Sequence, residues 1–286
     1  MAKFFVDAFA DMFGVELKNN GLLLAPSKIE FKGKFINFEG WEKAPSKEIL
    51  DNISKGKYKL AHISQKEWTD FFTPFLVAGE DIAFFTISQK LLIDGGADLK
   101  SAFTKLSEDF PERKVCLVDT LTVSRGVSEI ASLSSLVFKK ENDFEKAIKF
   151  ATELAGHFVS AFVVSDTNYL LSNPILEKPG SKLTGGLLNV KPIISIDKEG
   201  NFKLLDKARG FKAGVKKLLD IVKFNGENVA DYTFSIVYLN AELDALELKN
   251  EFLKFVEKED IRIIESSLNN ATIVGNKFIA VTFHSK

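Results

Sequence analysis

The chain has 286 residues, of which 45% are hydrophobic and 27% charged, the balance of a soluble globular protein long enough to bury its core without a staple. Its net charge of −1 carries no basic footprint for nucleic acid. One cysteine excludes an internal disulfide and argues against a Cys-based zinc site, and His62, His157 and His284 form no H-x-x-x-H spacing. No apolar run approaches the roughly 18 residues of a membrane span. Asp7 and Asp11 interrupt the apolar N-terminus, which therefore does not read as a secretory signal, and the cytoplasm is the expected location. Aromatic content is lopsided, with 27 Phe against 4 Tyr and 2 Trp. Coding bias accounts for such an excess, and so does an interior that hosts a greasy ligand. Composition does not separate the two.

In chain order, Lys3–Asp7 reads as a buried strand and Phe9–Phe13 as the start of a helix. Leu22–Ala25 is a second apolar strand. Two short runs, Ile29–Phe31 and Phe35–Phe38, flank Lys32-Gly33-Lys34 as a hairpin. Ser46 and Ser64 stand at the N-cap of predicted helices, the second with Trp68, Phe71, Phe72 and Phe75 on one face. Ile82–Ile87 is a buried strand, Leu99–Leu106 a helix, Val115–Asp119 a strand, and Val127–Phe138 and Phe144–Leu154 are helices. His157–Val164 is a strand, followed by a Pro- and Gly-containing stretch from Asn173 to Gly186. Ile193–Ile196 and Phe202–Leu205 flank the turn residues Lys198–Asn201. Phe211–Val222 is a Lys-rich helix. Thr233–Leu239 is a strand, Glu242–Val256 a helix, and Ile261–Glu265 and Phe278–Phe283 are strands. The alternation predicts an α/β protein of two domains. Residues 1–155 form a mostly parallel sheet flanked by helices, and residues 156–286 a mixed α/β sheet.

Two apolar strands end in an acid, Asp7 and Asp119, where an open sheet places its ligands; each serves as a helix cap or orients a ligand group. Ser64 and Gln65 open a helix, whose free N–H groups suit an anionic head group as well as a plain cap. Asp94-Gly95-Gly96 lies between a strand and a helix without a phosphate-loop spacing. Cys116 reads as a small core residue. His62 stays in play through its position beside Ser64. No nucleophile elbow or triad order is present, no metal site is indicated, and a catalytic pair built on Asp7 and Asp119 lacks any accompanying base or nucleophile.

The block from Ser165 to Leu219, centred on Leu187-Leu188-Asn189-Val190-Lys191-Pro192-Ile193 and closed by Lys207-Ala208-Arg209-Gly210, resembles the DegV family. Weaker blocks follow the family in order: Phe5-Val6-Asp7, the hairpin up to Trp41, Ser64-Gln65 at the centre of a T-S-Q-P-S motif, Ile87-Ser88 at the I-S-S strand end, and Val118-Asp119-Thr120. The resemblance implies a two-domain α/β fold holding one long-chain fatty acid between the domains, presented in many bacteria to a fatty acid kinase. It implies a carrier and not an enzyme, with no cofactor besides the lipid. The ligand-binding candidates carried over are Ser64, Gln65, Ser88, Asp119, Asp7 and Arg209, with His62 or Asn276 as a substitute donor. An acyl tail of about sixteen carbons gains on the order of 10 kcal/mol gross on burial, at about 0.8 kcal/mol per CH₂. The chain departs from the family at the head-group end. Ile63 and Lys66 replace the Thr and Pro of T-S-Q-P-S, Ala8 follows Asp7, Ser172–Ile175 lacks the family's Arg, and the S-G-T and H-T-G-P-G motifs are absent. The alternative reading is a diverged member that has lost carboxylate binding and takes a neutral lipid or a protein partner.

Overall fold

A computed structural model describes residues 1–38, 45–171, 189–225, 234–254 and 261–284. The first half runs β1 (Ala2–Val6), α1 (Gly14–Asn20), β2 (Leu22–Leu24), β3 (Ser27–Phe31), β4 (Lys34–Phe38), α2 (Lys47–Ser54), β5 (Tyr58–Leu60), α3 (Gln65–Val77), β6 (Asp81–Thr86), α4 (Ala97–Asp109), β7 (Val115–Asp119), α5 (Arg125–Glu141) and α6 (Phe144–Leu154). The second half runs β8 (Phe158–Val164), α7 (Thr167–Leu171), β9 (Val190–Ile196), β10 (Phe202–Arg209), α8 (Phe211–Asn225), β11 (Ser235–Leu239), α9 (Glu242–Phe252), β12 (Arg262–Glu265), α10 (Leu268–Val274) and β13 (Phe278–His284). Among the described residues no helix is long and apolar enough to cross a membrane.

The first sheet has the order β2-β1-β6-β7, all parallel. Successive side chains of a strand point to opposite faces, so Phe4 and Phe5 enter different cores. Phe4, Val6, Phe85 and Val118 pack with Val127, Ile130 and Ala131 of α5 and Ala147 of α6. Phe5, Ile82 and Phe84 pack with Phe72 and Leu76 of α3 and Leu99 and Phe103 of α4. Burial on both faces explains why these strands read as continuous apolar runs. On the α3 side the Phe5 ring meets those of Phe71, Phe72 and Phe75 edge-on, with centroids 5.7, 5.1 and 4.9 Å away, a favoured aromatic geometry.

The second sheet, β10-β9-β8-β13-β11-β12, is antiparallel except for its β11–β12 pair. One face carries α8 and α9, through Val215, Leu218 and Leu248. The other face meets the first half of the chain: Phe162, Ile194 and Val237 share a core with Ile29, Leu50, Ile53 and Tyr58. Those last residues belong to α2 and to a third sheet, β4-β3-β5, which is antiparallel. The predicted hairpin is therefore present, but it stands apart from the parallel sheet.

Phe9–Phe13 is a loop, and the helix begins only at Gly14. Asp11 sits at φ +48°, outside the helical region, because its carboxylate is buried at the seam between the halves. Ser124 Oγ (2.5 Å) and Asn270 Nδ2 (2.7 Å) donate to Oδ2, while Ser266 Oγ (2.7 Å) and the Ser267 N–H (3.1 Å) donate to Oδ1. Helices α7 and α10 and strand β5 were not expected from the sequence. The Asn173–Gly186 stretch, Thr233 and Val256 lie outside the described residues.

Burial pushes the Asp11 carboxyl above its ordinary range, against the pull of its four donors. A buried donor that loses its acceptor costs about 1–3 kcal/mol. Asp11→Ala is therefore expected to destabilise by at least about 3 kcal/mol, two or more donors being left unmatched in a seam too tight for full solvation. Asp11→Asn, which keeps one acceptor oxygen, should cost less. Urea unfolding midpoints check both; a loss below about 1 kcal/mol for the alanine variant would show that the seam does not rest on this carboxylate.

Candidate ligand-binding site

The chain leaves β1 to form β2 on one side and β6 on the other, so the sheet order reverses between β1 and β6. Ligands of open α/β sheets bind outside the carboxyl ends of the strands at such a point. A cavity of about 420 Å³ opens there, within the range of about 300–1,000 Å³ usual for small-ligand sites. Asp7, Thr86 and Ile87 at the strand ends form its floor. Trp68 and Phe84 form an apolar wall, and His62, Lys28, Asp94 and Asp98 supply polar groups. A second cavity of about 60 Å³ lies at the seam. Its lining is almost wholly apolar, with Phe162, Phe202, Phe278 and Ala280 from the second sheet or its edge. The two linings share Phe9 and Ile87.

Asp7 lies on the floor with both oxygens engaged. It accepts from the N–H groups of Phe9 (3.1 Å) and Ile87 (3.2 Å) and from Thr86 Oγ1 (3.0 Å). Burial raises its pKa, and these donors oppose the shift. At the rim, His62 Nε2 stands 2.5 Å from Asp98 Oδ2, both side chains being largely exposed. Ser64 follows the cavity residue Ile63 and caps α3. Its Oγ accepts from the Glu67 N–H (3.3 Å), and the Glu67 carboxylate accepts from the Ser64 N–H (2.9 Å) and Oγ (2.8 Å), a reciprocal capping box. Lys28 Nζ holds Glu67 at 2.7 Å. That bond first, and the Ser64 N–H next, lower the Glu67 carboxyl to about 2.

Ser88 and Asp119 sit one crevice away. Ser88 is fully buried and its Oγ donates to the Gly200 carbonyl in the β9–β10 turn (2.8 Å). Gly200 is at φ +89°, and a Cβ there would fall 2.2 Å from Ser88 Oγ, so a side chain has no room. Asp119 accepts from the N–H groups of Leu121 (3.1 Å) and Gln89 (3.3 Å), with its pKa raised by burial. Gln65 Nε2 reaches the Ser101 carbonyl on α4 (3.4 Å), outside the cavity. Arg209 is exposed at the end of β10 and lines neither cavity. The structure thus gathers Asp7 and His62 at the main cavity, with Ser64 on its rim. Sequence reasoning passed over Phe9, Lys28, Thr86 and Asp98. Thr86 was within reach, being adjacent to the flagged Ile87-Ser88. Asp98 is 36 residues from His62 and carried no signal.

The family model described as "Uncharacterised protein, DegV family" matches residues 1–286. The chain belongs to the DegV family. It is 22% identical to the DegV domain-containing protein YteA of Lactococcus lactis over 279 residues, 96% of this chain and 94% of that one. Its fold is similar to that of a DegV family protein from Thermus thermophilus described by its fatty acid binding, with TM-score 0.84, 19% identity and coverage of 100% and 99% of the two chains. It is also similar to a stearic acid-binding protein from Eubacterium ventriosum, with TM-score 0.82, 17% identity and the same coverage. At these identities the likeness establishes the fold. In this DegV chain Ile63 lines the cavity, so the residue just before the α3 cap presents an apolar side chain to it.

The capping box has a pH signature. With its folded pKa depressed to about 2, Glu67 takes up a proton more readily in the unfolded chain. Its stabilising contribution is full above about 4.5 and is lost as pH falls through that window toward 2. The pair is exposed, so the effect is small and screened by salt. Glu67→Gln is expected to flatten this part of the acid-unfolding profile, and Ser64→Ala to cost about 0.5–2 kcal/mol at neutral pH. Urea titrations at pH 7 and pH 3 check both.

Proposed function

We propose that the protein binds one long-chain fatty acid, with its head group in the 420 Å³ cavity and its acyl tail directed into the apolar chamber at the seam, and that it acts as a lipid carrier and not as an enzyme. The observation that carries this reading is the pairing of a cavity bearing polar groups at the β1–β6 switch point with an apolar cavity that shares Phe9 and Ile87 with it. The fatty acid ligands of similarly folded DegV proteins support it. In this reading residues 1–155 and 156–286 act as two domains with the tail between them. The N-terminus of α3 at Ser64 and Gln65 and His62 take the carboxylate. Ser88, Asp119 and Arg209 serve less directly, Ser88 by fixing the β9–β10 turn. Delivery to a cytoplasmic fatty acid kinase is the family role that fits a carrier of this kind.

One observation favours a second head group. Asp94 and Asp98 border the same cavity, and carboxylates repel a fatty acid anion while accepting from hydroxyls. A neutral lipid such as a monoacylglycerol answers to that lining.

Protein purified from cells, then denatured and extracted, is expected to release a fatty acid in near-stoichiometric amount by mass spectrometry. Release of a neutral acyl lipid in its place selects the second reading. Empty protein that also fails to take up labelled oleate or palmitate overturns both.

A further inference from the structure

We propose that Phe9 is a side-chain gate between the two cavities and sets the length of acyl chain the protein accepts; this rests on the lipid-binding reading above. The second cavity, at about 60 Å³, is far below the volume of a usual ligand site, so an acyl tail lodges in it only if side chains of its lining give way. Phe9 and Ile87 are the two residues that line both cavities. Ile87 is buried at the end of β6, and its N–H is held by Asp7. Phe9 is only half-buried.

The backbone of Phe9 cannot carry the movement. Its N–H donates to Asp7 Oδ1 (3.1 Å), and its carbonyl accepts from Asn270 Nδ2 (3.1 Å) on α10. Two residues on, Asp11 is fixed by four donors. The loop is thus anchored on both sides of the ring, and the remaining freedom is rotation about the side-chain torsions, which moves between discrete staggered wells. In one well the ring closes the second cavity; turned out, it joins that cavity to the first. The bulk at position 9 then decides how much of the tail passes inward.

The test is uptake of a series of saturated and monounsaturated fatty acids from C10 to C20 by the delipidated full-length protein and by Phe9→Ala, Phe9→Leu and Phe9→Trp. The smaller side chains are expected to speed uptake about tenfold and to shift the preferred chain at least two carbons longer, with Phe9→Trp shifting both the other way. Phe9→Leu keeps an apolar side chain against both cores, so the trend is readable even if the alanine variant folds poorly. Folded variants with the wild-type rate and chain-length profile overturn the gate while leaving the lipid-binding reading intact. Failure of the wild type itself to take up any member of the series overturns both.

Discussion

The molecule turns on a carboxylate that has been taken out of water at the place where its two halves meet. Asp11 comes from the loop after β1, yet three of its four donors belong to the segment Ser266–Asn270 near the other end of the chain. A buried carboxylate is tolerated when such donors surround it, and here they come from elements far apart in sequence. Satisfying Asp11 therefore requires that α10, the start of α5 and the β1 loop arrive together. Arg125 reinforces the same seam. It is fully buried and pairs with Glu16 and Glu129, and Arg262 at the start of β12 shares the Glu129 carboxylate. Asn269 adds a further tie, donating to the Ala8 carbonyl while accepting from Ser27.

That constraint explains where the sequence misled. Phe9, Met12 and Phe13 space themselves like one face of a helix, but their bulk is used from a loop. Met12 fills the core under α5, and Phe9 packs against two cores at once. The apolar pattern was real, and the backbone beneath it was dictated by Asp11 at positive φ. Helix α10 escaped for the converse reason. Its Asn269 and Asn270 look like surface residues, yet both are buried because they serve the seam, a tertiary demand that no local pattern records. The strands of the parallel sheet were legible because burial on both faces leaves no polar alternation to misread.

The candidate site was legible to the extent that it depends on strand ends. Asp7 follows a strand that any apolar run would reveal, and the switch point lies beside it. His62 was flagged through its neighbour Ser64. The cavity walls come instead from packing: Lys28 arrives on the small antiparallel sheet and Asp98 on α4, and neither arrangement follows from spacing. The Phe excess divides in a similar way. Phe71 and Phe72 pack against Phe5, and Phe85 stacks near Phe4, so these rings are core. Phe84 and Trp68 face the first cavity, and Phe162, Phe202 and Phe278 the second. The abundance of Phe served the interior first, and a minority of the rings lines the cavities.

The C-terminal edge of the parallel sheet offers two crevices, and the structure closes one of them. Beyond β6 and β7 the β9–β10 turn is seated on Ser88 and Leu121, with Gly200 and Gly156 allowing backbone to lie close where a Cβ would intrude. Asp197 stiffens that turn by accepting from the N–H groups of Glu199 and Asn201. The crevice between β1 and β6 stays open, because Asp7 spends its oxygens on its own loop and on β6 and leaves the space above them unfilled. In the proposed reading a ligand approaching this edge meets the capped N-terminus of α3 and the His62–Asp98 pair first, and the ring of Phe9 beyond them. In that reading polar groups at the mouth and the apolar side chains of the second cavity answer to the two ends of an amphipathic lipid, and the open crevice is the one that the second sheet has left uncovered.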